Sequence, residues 1–127
     1  MRYLVAEEYK EDGNAAFKRG NFEEAIELYT LAHKSEPRLP IYLLNRSMAE
    51  LKLYRWDEAE MDCTAVLRKH RTNAKALWRR AKARRATAQL TGDVEKLIAA
   101  ERGTSTNHPP MPPMVALTRL LLLRRPP

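Results

Sequence analysis

Within AKALWRRAKARR, residues 74–85, six of twelve side chains are cationic and none is acidic. Such a tract can track a nucleic-acid backbone, act as a nuclear address, or hold one compact anion; the choice depends on where each cation points. On a helix at about 100° per residue, Lys75, Arg79 and Lys82 fall within about 60° of one another, and Arg80 and Arg84 lie nearly opposite. Leu77, Trp78 and Ala81 occupy a further sector, which predicts that they pack against neighbouring helices. The tract therefore reads as two stripes separated by an apolar face. An ammonium and a guanidinium one turn apart suit carboxylate oxygens, because charge-assisted hydrogen bonds contribute about 1.5–3 kcal/mol each. Arg80, Arg84 and Arg85 read as exposed surface.

Other reactive residue types do not assemble. Cys63 is the only cysteine, which excludes an internal disulfide and fits a reducing compartment. At an apolar helix position it reads as a small core residue rather than a nucleophile. His33, His70 and His108 share no ligand spacing with it or with a carboxylate cluster, so no metal site is expected. No P-loop, GxSxG or HExxH occurs, and Glu23, Glu24 and Glu27 read as a solvated helix face. Neither an enzyme nor a cofactor is expected.

The chain has 127 residues, enough to bury one core without metal or disulfide staples, and 44% hydrophobic against 31% charged residues is too apolar for a disordered chain. The net charge of +7 is uneven: residues 1–39 carry 6 basic and 8 acidic side chains, 40–73 carry 6 and 5, and 74–127 carry 11 and 3. The basic last part invites an anionic partner, phosphate or carboxylate. MRYLVAEEYK at the start lacks the apolar run of a signal peptide. MVALTRLLLL near the end is short for a membrane span and is broken by Arg119, so it reads as an amphipathic helix.

The elements that must position the cations are helices. Ala, Leu, Glu, Lys and Arg abound, and apolar residues recur at helical spacing without strand-like alternation. Breakers at Gly20-Asn21, Pro37 and Pro40, Tyr54-Arg55, Arg71-Thr72-Asn73, Thr91-Gly92-Asp93 and NHPPMPP (107–113) predict helices of roughly 11 to 17 residues. NFEEAIELY (21–29) laid over RWDEAEMDC (55–63) superposes Phe22 on Trp56, Glu23 on Asp57, Glu24 on Glu58 and Ala25 on Ala59, a period of 34. Helical pairs with that period resemble tetratricopeptide repeats. In the first unit Gly13, Ala25 and Ala32 stand at the small positions, Tyr29 at the aromatic position and Pro37 at the close. In the second, Ser47, Val66, Cys63 and Arg71 replace glycine, a small residue, the aromatic and the proline.

The resemblance implies an all-α, right-handed superhelix of about three helix-turn-helix repeats in one domain: repeat 1 at 6–39, repeat 2 at 40–73 and a divergent repeat 3 at 74–103. The turn signal at Thr91-Gly92-Asp93 predicts an extended first helix of repeat 3 and a short second one at 93–102. A linker at 104–113 and a capping helix at 114–125 follow, Met114, Leu117, Leu120 and Leu121 covering the last repeat's apolar face.

One branch of this family, the carboxylate-clamp co-chaperones, lines its concave groove with two cations, two asparagines and a further lysine, and the sequence matches all five. YKEDGNAAF supplies Lys10 and Asn14, YLLNRSMA supplies Asn45, and AKALWRRA supplies Lys75 and Arg79. The resemblance implies a protein-binding adaptor for the Glu-Glu-Val-Asp tails of heat-shock protein 70 and heat-shock protein 90. Lys10, Asn14 and Asn45 would hold the terminal carboxylate, and Lys75 and Arg79 the aspartate side chain and a backbone carbonyl. Phe17, Leu44 and Met48 are candidates for an upstream apolar pocket, and Lys82 for upstream glutamates. The expected location is cytoplasmic, with the nucleus as an alternative. Two other readings stay open: a repeat scaffold for an internal peptide, and nucleic-acid binding through the third repeat, which would interleave cations with stacking aromatics although Trp78 is the only aromatic there.

Overall fold

The computed structural model describes residues 2–103, so the expected linker 104–113 and capping helix 114–125 lie outside the described residues. Those described form five helices: α1 (Arg2–Lys18), α2 (Phe22–Ser35), α3 (Ile41–Lys52), α4 (Trp56–Lys69) and α5 (Ala74–Gly103). Each helix packs mainly on the next in sequence, with a smaller α3–α5 contact. This stacking of sequential helices is what a solenoid requires.

The backbone repeats at the period read from the sequence. The α1–α2 turn passes through Gly20 at φ 81° and the α3–α4 turn through Tyr54 at φ 59°, 34 residues on. Glycine takes that left-handed conformation freely, whereas a tyrosine does so at a cost. At Tyr54 the ring meets Trp56 edge-on, with centroids 5.5 Å apart. Asn21 and Arg55, which precede α2 and α4, share φ/ψ near −90° and +70° (−89°/74° and −90°/71°). Glu36 and His70, which follow those helices, also match (−142°/83° and −129°/74°).

Small residues at the equivalent positions allow the helices to approach. Gly13, Ser47, Ala25, Ala59, Ala32 and Val66 are all buried, as are Tyr29 and Cys63. Gly13 lies under the Tyr29 ring, where an added Cβ would stand 2.7 Å from Cε1. Ser47 has room for a side chain and turns its hydroxyl to the Leu44 carbonyl at 2.6 Å.

α5 departs from expectation. The break at Thr91-Gly92-Asp93 does not form, and with it goes the separate short helix at 93–102: α5 is one helix of 30 residues. One helical glycine costs only about 1 kcal/mol relative to alanine, and Thr91 Oγ1 bonds back along the helix to the Thr87 carbonyl at 3.0 Å. A hairpin needs a packing partner for its second arm, and α5 has its main described neighbours, α4 and α3, at its N-terminal half. The second correction concerns its apolar face. Leu77 and Trp78 do not pack inward but stay 44% and 62% exposed, and Ala81 is exposed too. α5 instead buries Ala76 and Ala83, seven residues apart, whose methyls let it lie close against α3 and α4.

Candidate functional site

Three helices of like position, α1, α3 and α5, carry the five expected site residues. Asn45 and Arg79 are separated by one 34-residue period, as are Met48 and Lys82, which lie one and two periods after Asn14. Equivalent positions on stacked repeats point to the same side, so these residues share one groove.

On α1, Lys10 and Asn14 lie one turn apart. The Asn14 side-chain oxygen accepts a hydrogen bond from the Tyr29 hydroxyl at 2.6 Å and one from Asn45 Nδ2 at 3.4 Å. With its oxygen thus occupied, the Asn14 amide presents its NH2 as a donor. Tyr29 therefore does two jobs: its ring fills the space over Gly13 and its hydroxyl sets the Asn14 amide. Lys10 Nζ lies 2.6 Å from Glu7 and 3.8 Å from Glu11. The hydrogen bond to Glu7 raises the Lys10 pKa and lowers that of Glu7. Glu7 also accepts from the Tyr42 hydroxyl at 3.2 Å. Glu7 thus supplies a carboxylate to Lys10 and ties it to Tyr42 of α3. The i, i+3 spacing carried that signal, which the motif match overlooked.

Arg79 reaches from α5 to α3, where its Nη1 donates to the Leu44 carbonyl at 2.7 Å, next to Asn45 in the chain. Half-buried, its pKa is lowered by desolvation, but a guanidinium remains charged at neutral pH. One of five N–H donors is engaged there. Lys75, one turn earlier, is exposed, and Lys82 Nζ stands 5.3 Å from the Trp78 ring centroid, a cation–π contact. Lys10 and Asn14 thus lie one turn apart, Asn45 bonds to Asn14, and Arg79 bonds to the carbonyl of Leu44, the residue before Asn45, with Lys75 one turn away on α5.

The expected pocket residues divide. Phe17 and Asn14 border one cavity of about 350 Å³, open between Glu11 and Lys18. Met48 is half-buried against the Leu51, Ala59 and Ala83 cluster. Leu44 is a correction: its side chain is 4% exposed, packed with Cys63, Val66, Leu67 and Ala76, so that it offers the groove a carbonyl and no side-chain surface. Of the cations read as exposed surface, Arg84 and Arg85 are exposed, Arg84 pairing with Glu60 of α4 at 2.7 Å, whereas Arg80 is partly buried.

Behind the groove lies a polar network that sequence inspection missed. Arg46 grips Asp62 through two bonds of 2.7 and 2.5 Å and donates to Thr30 at 3.1 Å, joining α3, α4 and α2. Glu50, one turn from Arg46 and 4% exposed, is pushed up to about 10 by burial and by the Asp62 carboxylate. The buried Glu50 carboxyl therefore keeps its proton at neutral pH, while Arg46 is engaged by Asp62. Burial likewise pushes the Cys63 thiol up, consistent with a core role. Among the described residues, no group of three or more His, Cys, Asp or Glu is placed to hold a metal ion. No described helix is long and apolar enough to cross a membrane.

Stacked helix pairs of period 34 and a groove of paired cations and amides define a tetratricopeptide repeat domain of the co-chaperone type. No protein-family model matches the chain. It is similar to human sperm-associated antigen 1, at 39% identity over 75% of this chain, and to mouse RNA polymerase II-associated protein 3, at 39% over 72%. It spans only 10% and 14% of the length of those two relatives. Among solved structures it resembles the Arabidopsis OM64 TPR domain, at a TM-score of 0.67 and 30% identity over 95% of this chain and 98% of that one. The second TPR domain of human RPAP3, solved in complex with the HSP70 peptide SGPTIEEVD, gives the same values. The first TPR domain of Spaghetti, bound to the HSP90 peptide SRMEEVD, follows at 0.65 and 29%, over 94% of this chain and 92% of that one. The chain belongs to the tetratricopeptide repeat family.

Proposed function

We propose that the chain is a non-catalytic, co-chaperone-like adaptor that binds the C-terminal Glu-Glu-Val-Asp tail of heat-shock protein 70, of heat-shock protein 90, or of both. The observation that carries this reading is the run Lys10, Asn14, Asn45, Arg79, in which the Asn14 NH2 is preset by Tyr29 and Arg79 is anchored beside Asn45. The terminal carboxylate displaces Glu7 from Lys10 and takes donors from Asn14 and Asn45, while Lys75 and Arg79 meet the aspartate side chain and a peptide carbonyl. Phe17 and Met48 supply the surface for the valine, and Lys82 faces the upstream glutamates. Micromolar affinity corresponds to about −8 kcal/mol, which a few charge-assisted bonds at a wet groove can supply. Binding weakens with salt, because the groove's charges are screened.

The solved complexes of similar domains with HSP70 and HSP90 peptides support the ligand class. Nucleic acid fits less well: Arg79 is tied to Leu44, Arg84 to Glu60, and the remaining cations of α5 are divided between two faces. A cytoplasmic location follows from the ligand, and the similarity to an RNA polymerase II-associated protein keeps the nucleus as the alternative. The test is fluorescence anisotropy with a labelled peptide ending in Glu-Glu-Val-Asp. Lys75→Ala, at an exposed position, weakens binding by about tenfold with an unchanged melting temperature, and so does Arg79→Ala. Unaltered affinity in both variants refutes the proposal.

A further inference from the structure

A second opening lies away from the clamp residues, between α2, α4 and the loop that joins α2 to α3. Two adjoining cavities of about 500 and about 270 Å³ share His33, Leu43, Ala65 and Arg68, and none of Lys10, Asn14, Asn45, Lys75 or Arg79 borders either. The smaller has a floor of Leu39, Pro40, Leu43, Ala65 and Val66. Its rim carries Arg38, Arg68, Lys69 and His70, and no acidic residue lines it. Arg38 is held by Glu36 at 2.8 Å, but among the described residues Arg68 and Lys69 have no acid within ion-pair distance.

Arg68 and Lys69 stand in the last turn of α4, where cations offset the helix's partial negative charge. That placement explains their sign. It does not explain the apolar floor beneath them, nor His33, which lies where the two cavities meet and whose buried Nδ1 has no hydrogen-bond partner. The larger cavity carries both signs: Asp57, Glu60 and Asp62 line it together with Arg46 and Arg68, Asp62 is gripped by Arg46 and Glu60 by Arg84, and Met61 on its edge is 70% exposed. A groove with an apolar floor and a cationic rim selects its occupant by charge.

We infer that this groove is a second peptide-binding site, taking an internal segment in which a large apolar side chain adjoins acidic residues. The apolar side chain fills the floor over Leu43 and Ala65, and the acids lie against Arg68 and Lys69. The site does not depend on the clamp, so the domain can hold a chaperone tail on one side and a second protein on the other.

The test uses the full 127-residue chain, labelled with nitrogen-15, and the blocked peptide acetyl-Glu-Asp-Glu-Leu-Phe-Ser-Lys-amide, which has no free carboxyl terminus for the clamp. Saturable amide shifts are expected at Leu39, Ala65 and His70 and not at Asn14 or Asn45. Arg68→Ser/Lys69→Ser weakens the peptide by about tenfold and leaves Glu-Glu-Val-Asp binding intact, which also shows that the variant is folded. Ala65→Leu, which fills the floor, abolishes the shifts. The reversed peptide acetyl-Lys-Arg-Lys-Leu-Phe-Ser-Glu-amide binds about tenfold more weakly. Absence of shifts at those three amides in millimolar peptide overturns the inference, as do shifts confined to Asn14 and Asn45 or equal binding of the reversed peptide. The same shifts from a single-stranded oligonucleotide overturn it in favour of a phosphate site.

Discussion

Replacing Glu50 by glutamine should make the domain more stable at neutral pH while flattening its response to pH. The wild-type carboxyl is raised from 4.5 to about 10 because burial, then the Asp62 carboxylate, disfavour its charge. Arg46 opposes the shift but is already engaged by Asp62. Between those two values the folded chain holds a proton that the unfolded chain has released, so folding must take one up. Stability is then fully present below pH 4.5 and falls as pH rises, by at most about 1.4 kcal/mol per unit. From 4.5 to neutrality the loss approaches about 3 kcal/mol as an upper limit. In Glu50→Gln the side-chain amide keeps the shape and a donor without taking up a proton. Urea unfolding of both chains at pH 5, 6 and 7 should give similar stabilities at pH 5 and a widening advantage for the variant, within that limit. A difference between the two that stays constant across pH refutes an acid kept protonated at Glu50.

Two further substitutions probe the groove. Gly13→Ala places a Cβ 2.7 and 2.9 Å from two atoms of the Tyr29 ring, which cannot retreat without releasing Asn14. A cost of about 1–3 kcal/mol is expected, read as a fall in melting temperature together with weaker binding of a Glu-Glu-Val-Asp peptide; an unaltered melting temperature contradicts the packing. Glu7→Gln removes the carboxylate 2.6 Å from Lys10 and so frees the lysine for a ligand. Calorimetric titration should show about two- to fivefold tighter peptide binding, the effect of one partly exposed charge pair; weaker binding contradicts the competition.

Much of the fold was legible because it is written locally and twice. The turn residues recur at a 34-residue spacing, and so do the φ/ψ values they adopt, down to the left-handed pair Gly20 and Tyr54. Small positions such as Gly13 and Ala25 mark close approach wherever they fall in a helix. The end of the solenoid was harder to read. Thr91-Gly92-Asp93 resembles a turn, yet a turn forms only if a neighbour rewards it, and local pattern does not reveal that α5 has its described neighbours on one side. The same one-sidedness leaves Leu77 and Trp78 in solvent, where a helical wheel would pack them.

At the candidate site, the family resemblance singled out Lys10, Asn14, Asn45, Lys75 and Arg79, of which Asn45 and Arg79 stand one 34-residue period apart. Their partners were hidden for a physical reason. Tyr29 reads as core until its hydroxyl is seen on Asn14, and Glu7 reads as surface until it is seen on Lys10. Leu44 was misassigned because a residue beside a groove asparagine can still turn its side chain to the core. The Arg46, Asp62 and Glu50 network could have been suspected from charged residues on the inward faces of α3 and α4.

The central claim is that the groove reads a free C-terminal carboxylate. The direct measurement is calorimetric titration of the chain with one peptide ending in Glu-Glu-Val-Asp, carrying either a free or an amidated C-terminus. The account predicts micromolar binding of the free peptide and a loss of at least about tenfold on amidation, because Lys10, Asn14 and Asn45 then face a neutral group. Equal affinity for the two forms would contradict it.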